Sequence, residues 1–192
     1  VLGYTKRVAE KICEYFNHLK NRDNFINIVR FGNVFGSSGS AITNFLDQIN
    51  LDRPIKITHP RASRYFMTII EACHLVIQTT EINSRNRIFV LNMGKPLNIL
   101  NLAKSLGMIR TKINPNYTFK YQITGLKPGE KLYETIVDNK EIKTKFNNEI
   151  FFVKSKVNKK LNFIKFYQKL TFTLEKQNER KLLAQLVKIK NL

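Results

Sequence analysis

Long apolar runs, clustered cysteines and blocks of basic residues are all missing from this 192-residue chain, and each absence removes a class of function. No stretch approaches the ~20 apolar residues that span a bilayer, and no secretory leader is visible. Cys13 and Cys73 stand far apart in sequence, without the Cys-x-x-Cys or histidine spacing of a metal site. They are expected to be reduced, buried thiols of a cytoplasmic protein. Acidic residues are scarce: 14 Asp+Glu face 33 Lys+Arg, a formal charge of +19. Such a charge suits a polyanionic or phosphate-bearing partner or an anionic membrane surface. The lysines, however, are scattered among many asparagines and isoleucines, the residue usage of AT-rich coding. Without a basic run of five or more, nucleic acid is disfavoured as the main ligand. A starting methionine is missing too, and Val1, together with the motifs below, predicts a piece of a longer chain.

With 43% hydrophobic residues, the chain can bury one good core or form one lobe of a larger domain. Its organising stretch is residues 28–40, IVRFGNVFGSSGS. A β-branched segment over 25–31 runs into a Gly/Ser loop, and a helical pattern starts at Ala41. That order lets backbone N–H groups and a helix dipole favour an anion, while a strand ending in a flexible turn accounts for it equally well. Residues 2–22 read as a helix, from the spacing of Leu2, Val8, Ala9, Ile12, Cys13, Phe16 and Leu19. A second helix over 41–50 turns Ile42, Phe45, Leu46 and Ile49 inward, and Ile55–Thr58 alternates like a strand. Ile69–Thr80 is amphipathic, with Ala72, Cys73, Val76 and Ile77 on its apolar side. A buried strand over 87–92, a helix over 97–108 and a strand over 117–123 follow. Pro128-Gly129 then turns the chain into a short helix with Glu130 near its start. This alternation predicts an α/β lobe. Beyond residue 153 the chain is Lys-rich, with Phe163, Phe166, Leu170 and Leu174, then Leu182, Leu183, Leu186 and Ile189, spaced for two helices. These would pack on the lobe, a partner or a membrane surface.

Several separated motifs resemble a single family. Gly3-Tyr4-Thr5-Lys6-Arg7-Val8-Ala9-Glu10, Arg30 to Ser40, Thr58-His59-Pro60 with Arg64-Tyr65-Phe66-Met67-Thr68, Ile88 to Pro96, and Gly125-Leu126-Lys127-Pro128-Gly129-Glu130-Lys131-Leu132-Tyr133-Glu134 occur in the family's order. They are similar to the second half of an extended short-chain dehydrogenase/reductase, and more narrowly to the polysaccharide-biosynthesis dehydratases that act on UDP-N-acetylglucosamine. The resemblance covers residues 1 to about 153 and implies the C-terminal part of an extended Rossmann-like α/β fold with its substrate-binding lobe; residues 154–192 would be a basic helical tail.

The resemblance also implies roles. Lys6 matches the lysine that binds the nicotinamide ribose and is the catalytic candidate, while Leu2 stands where short-chain dehydrogenases carry tyrosine. The long-chain dehydratases commonly have methionine there, so position 2 would have no part in proton transfer. Lys6, Phe31, Asn33 and Val34 would meet NAD or NADP, and Asn33, Ser37, Ser40, Arg64, Lys127 and Glu130 the UDP-sugar. The Asn33 amide and two cations would take the diphosphate: Arg64 with a bidentate fork, and Lys127 where the family has arginine, with the charge but not the fork. Glu130 would receive the ribose hydroxyls. The family's chemistry oxidises carbon 4 by hydride transfer to the nicotinamide, expels water across carbons 5 and 6, and returns the hydride to carbon 6. The product is a 4-keto-6-deoxy sugar for surface polysaccharide or glycan synthesis.

The family's Gly-x-x-Gly-x-x-Gly loop and Thr-Asp-Lys segment do not occur in these 192 residues, which alone are expected to be inactive. The parent chain would be an NAD(P)-dependent lyase without metal, a homo-oligomer at the inner face of a bacterial membrane that it reaches through other parts of the chain. Apart from the resemblance, Lys6 reads as a solvated helix lysine and His59 as a loop histidine, while Arg64 reads first as a guanidinium able to hold a diphosphate and second as half of a surface ion pair. Two alternatives stay open: a non-catalytic remnant or split-gene half that binds UDP-sugar weakly, and a basic anion- or nucleic-acid-binding module.

Overall fold

The structure is a computed structural model that describes residues 2–18, 26–37, 39–82, 87–138, 141–154, 163–175, 180, 181 and 184. In chain order its elements are α1 (Leu2–His18), β1 (Ile28–Arg30), β2 (Asn33–Val34), α2 (Ala41–Asn50), β3 (Ile55–Ile57), β4 (Ser63–Arg64), β5 (Phe66–Met67), α3 (Ile69–Thr80), β6 (Arg87–Leu91), β7 (Leu97–Asn98), α4 (Ile99–Ile113), β8 (Tyr121–Ile123), β9 (Lys143–Lys145), β10 (Ile150–Lys154) and α5 (Phe163–Glu175). The chain divides into two compact units, one of Val1–Ile28, Asn83–Ile88 and Val153–Leu192, the other of Val29–Ile82 and Phe89–Phe152.

In the first unit, the chain leaving α1 is bracketed by Asn17, whose amide donates to the Ile26 carbonyl and accepts from the Ile26 N–H, both at 2.7 Å. Glu14 is 4% exposed and is paired with Lys11 at 2.7 Å on the same helix. Burial pushes the pKa of the half-buried Cys13 thiol up, and the charges of Glu10 and Glu14 add to the rise. The residues expected to end this helix (19–22), the turn at 21–24, Phe25 and, apart from residue 184, the second tail helix over 182–189 lie outside the described residues.

The second unit has two cores. Phe45 and Ile49 of α2 pack with Ile55 and Ile57 of β3, Ile99 and Ala103 of α4, and Ala62, Phe66 and Tyr117. Met67, Ala72 and Leu75 of α3, Phe89 and Leu91 of β6, and Ile150 form the other. Burying a large apolar side chain of this kind contributes about 1.5–3 kcal/mol. Residues 62–67 serve both cores, Ala62 and Phe66 in one and Met67 in the other, so the polar Ser63-Arg64-Tyr65 between them is fixed at both ends. Each helix of this unit opens on a capping side chain. Ser40 accepts from Thr43 N–H, Asn98 from Asn101 N–H, and Thr68 with Glu71 forms a reciprocal capping box.

The pairing is mixed, as an α/β lobe allows. Strands β2 and β5 pair in parallel, as do β3 and β8, while β4 and β7 are antiparallel; a four-stranded sheet runs in the order β1-β6-β10-β9. Gly107 in α4 touches Phe119 so closely that an added Cβ would fall 2.1 Å from the ring.

Four expectations need correction. Leu46, read as inward, is 42% exposed, and the α2 stripe narrows to the buried Phe45 and Ile49 with the partly buried Ile42 beside them. On α3 the buried stripe is Ala72, Leu75 and Thr79, with Val76 partly buried beside it as expected; Ile77 is 64% exposed and Cys73 is exposed, so this thiol is not buried. Apolar residues on adjacent helix positions cannot all face one core, and here the i, i+3, i+7 set wins. Residues 117–120 are not strand, because Tyr117 N–H closes a turn on Asn114 O and ladder pairing starts at Tyr121. No helix follows Pro128-Gly129: the backbone bonds across the chain instead, Ser63 N–H to Leu132 O at 3.1 Å, with an isolated bridge between Ser63 and Tyr133. Glu130 therefore has no helix dipole beside it.

Candidate functional site

Three stretches of the second unit meet around two carboxylates: the start of β2, residues 63–65, and residues 126–134. Glu130 collects donors from two of them and from the end of β3. Its Oε1 accepts from Thr58 Oγ1 at 2.9 Å and Arg64 Nη2 at 3.2 Å, and its Oε2 from Lys127 N–H at 3.2 Å. Arg64 is held on its other side, where Nη1 donates to Ser63 O at 2.8 Å and Leu132 O at 3.1 Å. The two ion-pairing side chains are 20% and 23% exposed, so the pair is partly shielded from solvent, which strengthens it relative to a fully exposed pair.

Glu134, four residues on, takes neutral donors. Its Oε2 accepts from Tyr65 N–H at 2.9 Å and from Asn33 Nδ2 at 3.2 Å. Asn33 is fixed further by bonds from its backbone N–H and its Nδ2 to Tyr65 O, at 2.9 and 3.1 Å. Gly32 makes this approach possible, because a Cβ there would stand 2.9 Å from Tyr65 Cβ, 3.0 Å from Tyr65 O and 3.2 Å from Glu134 Oε2.

The other sequence-derived candidates are placed as follows. Lys127 has an exposed side chain in the same segment as Glu130. Ser40 spends its hydroxyl on capping α2, and Ser37 is exposed with its N–H turned back to Val34 O. Phe31 is exposed, and Val34 packs against the second core. Lys6 is exposed near the start of α1, in the first unit. Arg64 and Glu130 thus pair directly, Lys127 lies in the Glu130 turn, Asn33 is bonded instead to Glu134 and the Tyr65 backbone, and Ser37 and Ser40 belong to the loop that leads into α2.

A dinucleotide needs ribose contacts and a phosphate cradle. The exposed Lys6 ammonium suits ribose hydroxyls. In the Gly/Ser loop the Ser37 and Ser40 N–H groups bond the carbonyls of Val34 and Ser37, so these donors do not form a cradle. The chemistry of the exposed Lys6 is compatible with the ribose half of the group, and the two loop N–H groups form no phosphate cradle.

Sequence reasoning missed Glu134, Thr58 and Gly32, and also a bidentate pair that ties the end of this segment to β1. There Arg30 Nη1 and Nη2 meet Glu141 at 2.7 and 2.9 Å, both side chains nearly buried. For Glu134 the signal was its place in the motif that ends on it; for the Arg30 and Glu141 pair there was none.

Comparisons with known proteins agree with one another. Residues 1–156 match the family described as "Polysaccharide biosynthesis protein". Capsular polysaccharide biosynthesis protein CapD of Staphylococcus aureus and probable polysaccharide biosynthesis protein EpsC of Bacillus subtilis are each 44% identical over 142 residues, which is 74% of this chain and 23% of theirs. UDP-glucose 4-epimerase of Rickettsia bellii is 32% identical over 143 residues, 73% of this chain and 40% of that protein. The solved structure of Pen from Bacillus thuringiensis superposes with a TM-score of 0.73 at 31% identity, covering 81% of this chain and 48% of that one. The chain thus spans about a quarter of the length of the first two relatives and under half of the others. A family match that takes in 156 of 192 residues settles membership: the chain belongs to the polysaccharide biosynthesis protein family.

Proposed function

We propose that the protein carrying this sequence is a nucleotide-sugar 4,6-dehydratase, converting UDP-N-acetylglucosamine to a 4-keto-6-deoxy sugar for surface polysaccharide. Residues 1–153 would be the C-terminal half of its catalytic domain and 154–192 a basic tail. The observation that carries this reading is the Arg64 to Glu130 contact at 3.2 Å, which brings together a cation for diphosphate and a carboxylate for ribose hydroxyls from positions 66 residues apart. Lys127 adds positive charge beside them. Ser37 and Ser40 would line the way to the sugar, and Phe31 and Val34 the edge toward the cofactor. Bound NAD(P) would supply a reversible acceptor for the hydride of carbon 4. Lys6 would hold the nicotinamide ribose through its ammonium, and Leu2 would leave acid and base work to residues elsewhere in the parent chain.

Binding of UDP to the full natural chain, followed by calorimetry, tests the reading. Arg64→Ala should weaken it by about 2–5 kcal/mol, since it leaves phosphate charge unpaired, and Lys127→Arg should bind as well or better. Lys6→Ala should release NAD(P) and leave UDP affinity unchanged. Unaltered UDP binding in Arg64→Ala would overturn the site. The similarity to UDP-glucose 4-epimerases supports a second reading, in which the hydride returns to carbon 4. Mass spectrometry separates the two, because only the dehydratase product has lost water. Binding that falls steeply with salt and ignores uridine competition would instead mark a basic anion-binding module.

A further inference from the structure

We propose that Glu134 fixes the polarity of Asn33, so that this side chain meets a ligand with its carbonyl oxygen, as acceptor of a hydroxyl or amide N–H, and not as an N–H donor to phosphate. The proposal deepens the nucleotide-sugar reading and rests on it. A side-chain amide has two N–H hydrogens and one oxygen. Both hydrogens are committed inward, to Tyr65 O at 3.1 Å and to Glu134 Oε2 at 3.2 Å. A peptide carbonyl and a carboxylate accept only, so turning the amide over would set its oxygen against two oxygens and forfeit both bonds. Glu134 is itself anchored by Tyr65 N–H at 2.9 Å, and the absence of a side chain at Gly32 leaves room for its carboxylate. Asn33 Oδ1 has no hydrogen-bond partner among the described residues, and it is not among the buried orphaned atoms. It therefore remains open to solvent as an acceptor. Phosphate oxygens, which also accept, are the wrong match for it; sugar hydroxyls and an acetamido N–H are the right one. Glu134 is a positioning residue here, acting on ligand specificity through Asn33.

Two measurements on the full natural chain decide the matter. The first is solvent exchange of the Asn33 side-chain NH2, followed by NMR without ligand. Exchange should be slow in the native chain, faster by about tenfold or more in Glu134→Ala, and slow again in Glu134→Gln, whose amide oxygen can take the same two donors. Rapid exchange in the native chain overturns the proposal. The second compares inorganic pyrophosphate with UDP-N-acetylglucosamine. Asn33→Ala and Glu134→Ala should bind pyrophosphate within about twofold of the native chain and the UDP-sugar about tenfold more weakly, with Glu134→Gln restored. Equal loss of both ligands would mean that Asn33 donates to phosphate, which overturns the proposal. A native chain that binds neither ligand overturns the nucleotide-sugar reading and the ligand half of this proposal with it, while the exchange measurement still decides the polarity of Asn33.

Discussion

Residues 36–40 and residues 126–134 are both loops with positive-φ glycines, yet they are held in opposite ways. In the first, Gly36 and Gly39 turn at φ 73° and 70°, and the bonds of Ser37 and Ser40 stay within four residues. In the second, Gly129 turns at φ 81°, but Glu130 and Glu134 reach partners 66 to 101 residues away. The first loop is a local object that happens to lie near the candidate site. The second closes a local turn between Lys127 and Glu130 as well, and it is part of the site because its two carboxylates reach far upstream.

Substitutions can break or sharpen that contrast. The largest effect is expected where the long-range segment is tied to β1. Glu141→Ala removes the bidentate carboxylate from the nearly buried Arg30 guanidinium, which keeps its bond to Ile136 O at 3.3 Å, and should cost about 3 kcal/mol in urea unfolding; a cost below about 1 kcal/mol would mean that the segment is not held from this end. Next, Gly32→Ala pushes a methyl group against Tyr65 and Glu134, at a cost of about 1–3 kcal/mol. Its counterpart in the local loop, Gly39→Ala, meets nothing within 4 Å and should suffer only from its backbone angle, about 1–2 kcal/mol. The two glycines are told apart by Asn, which tolerates a left-handed turn: Gly39→Asn should recover much of the loss and Gly32→Asn none. Equal behaviour of the two would erase the distinction between the loops. Ser40→Ala should remove about 1 kcal/mol by uncapping α2, with UDP affinity intact if the hydroxyl serves only the helix.

The smallest effect concerns Glu71. The Thr68 backbone N–H, and after it the Thr68 hydroxyl, hold the Glu71 carboxyl below its ordinary pKa. A folded-state pKa that is depressed gives stability present above the unfolded pKa and lost as pH falls through the folded one. Thr68→Ala should move the Glu71 titration upward and shrink that acid-side loss. An unmoved titration curve in carbon-detected NMR would remove the hydroxyl from the capping box.

What the sequence shows follows the same division. Helix starts at Ala41 and Ile69 come from neighbouring residues, and the strand at Ile55–Ile57 from strict alternation, whereas the helix expected from Leu97 starts at Ile99 because Leu97–Asn98 pairs with β4. Arg64 and Glu130 were found through motif resemblance, which carries distant contacts implicitly. Periodicity alone misplaces Leu46, Cys73 and Ile77, because it sets a helix's apolar side but not which of several adjacent apolar residues is covered. The expected helix after Gly129 fails for a related reason. Its peptide groups find partners near Ser63, and a local pattern cannot register a competitor so far upstream.

The separation of Asn33 from Glu134 also orders events in time. Ribosomes add about 5–20 residues per second, so the 101 residues between them take about 5–20 s to make. The α2 cap can close as soon as its own turn has been synthesised. The bonds of Arg64 to Glu130 and of Asn33 to Glu134 have no such option, and on a growing chain both side chains wait for these carboxylates until residues 130–134 emerge. Nascent-chain lengths that stop short of Glu134 should therefore expose the 63–67 segment to protease, and longer ones should protect it.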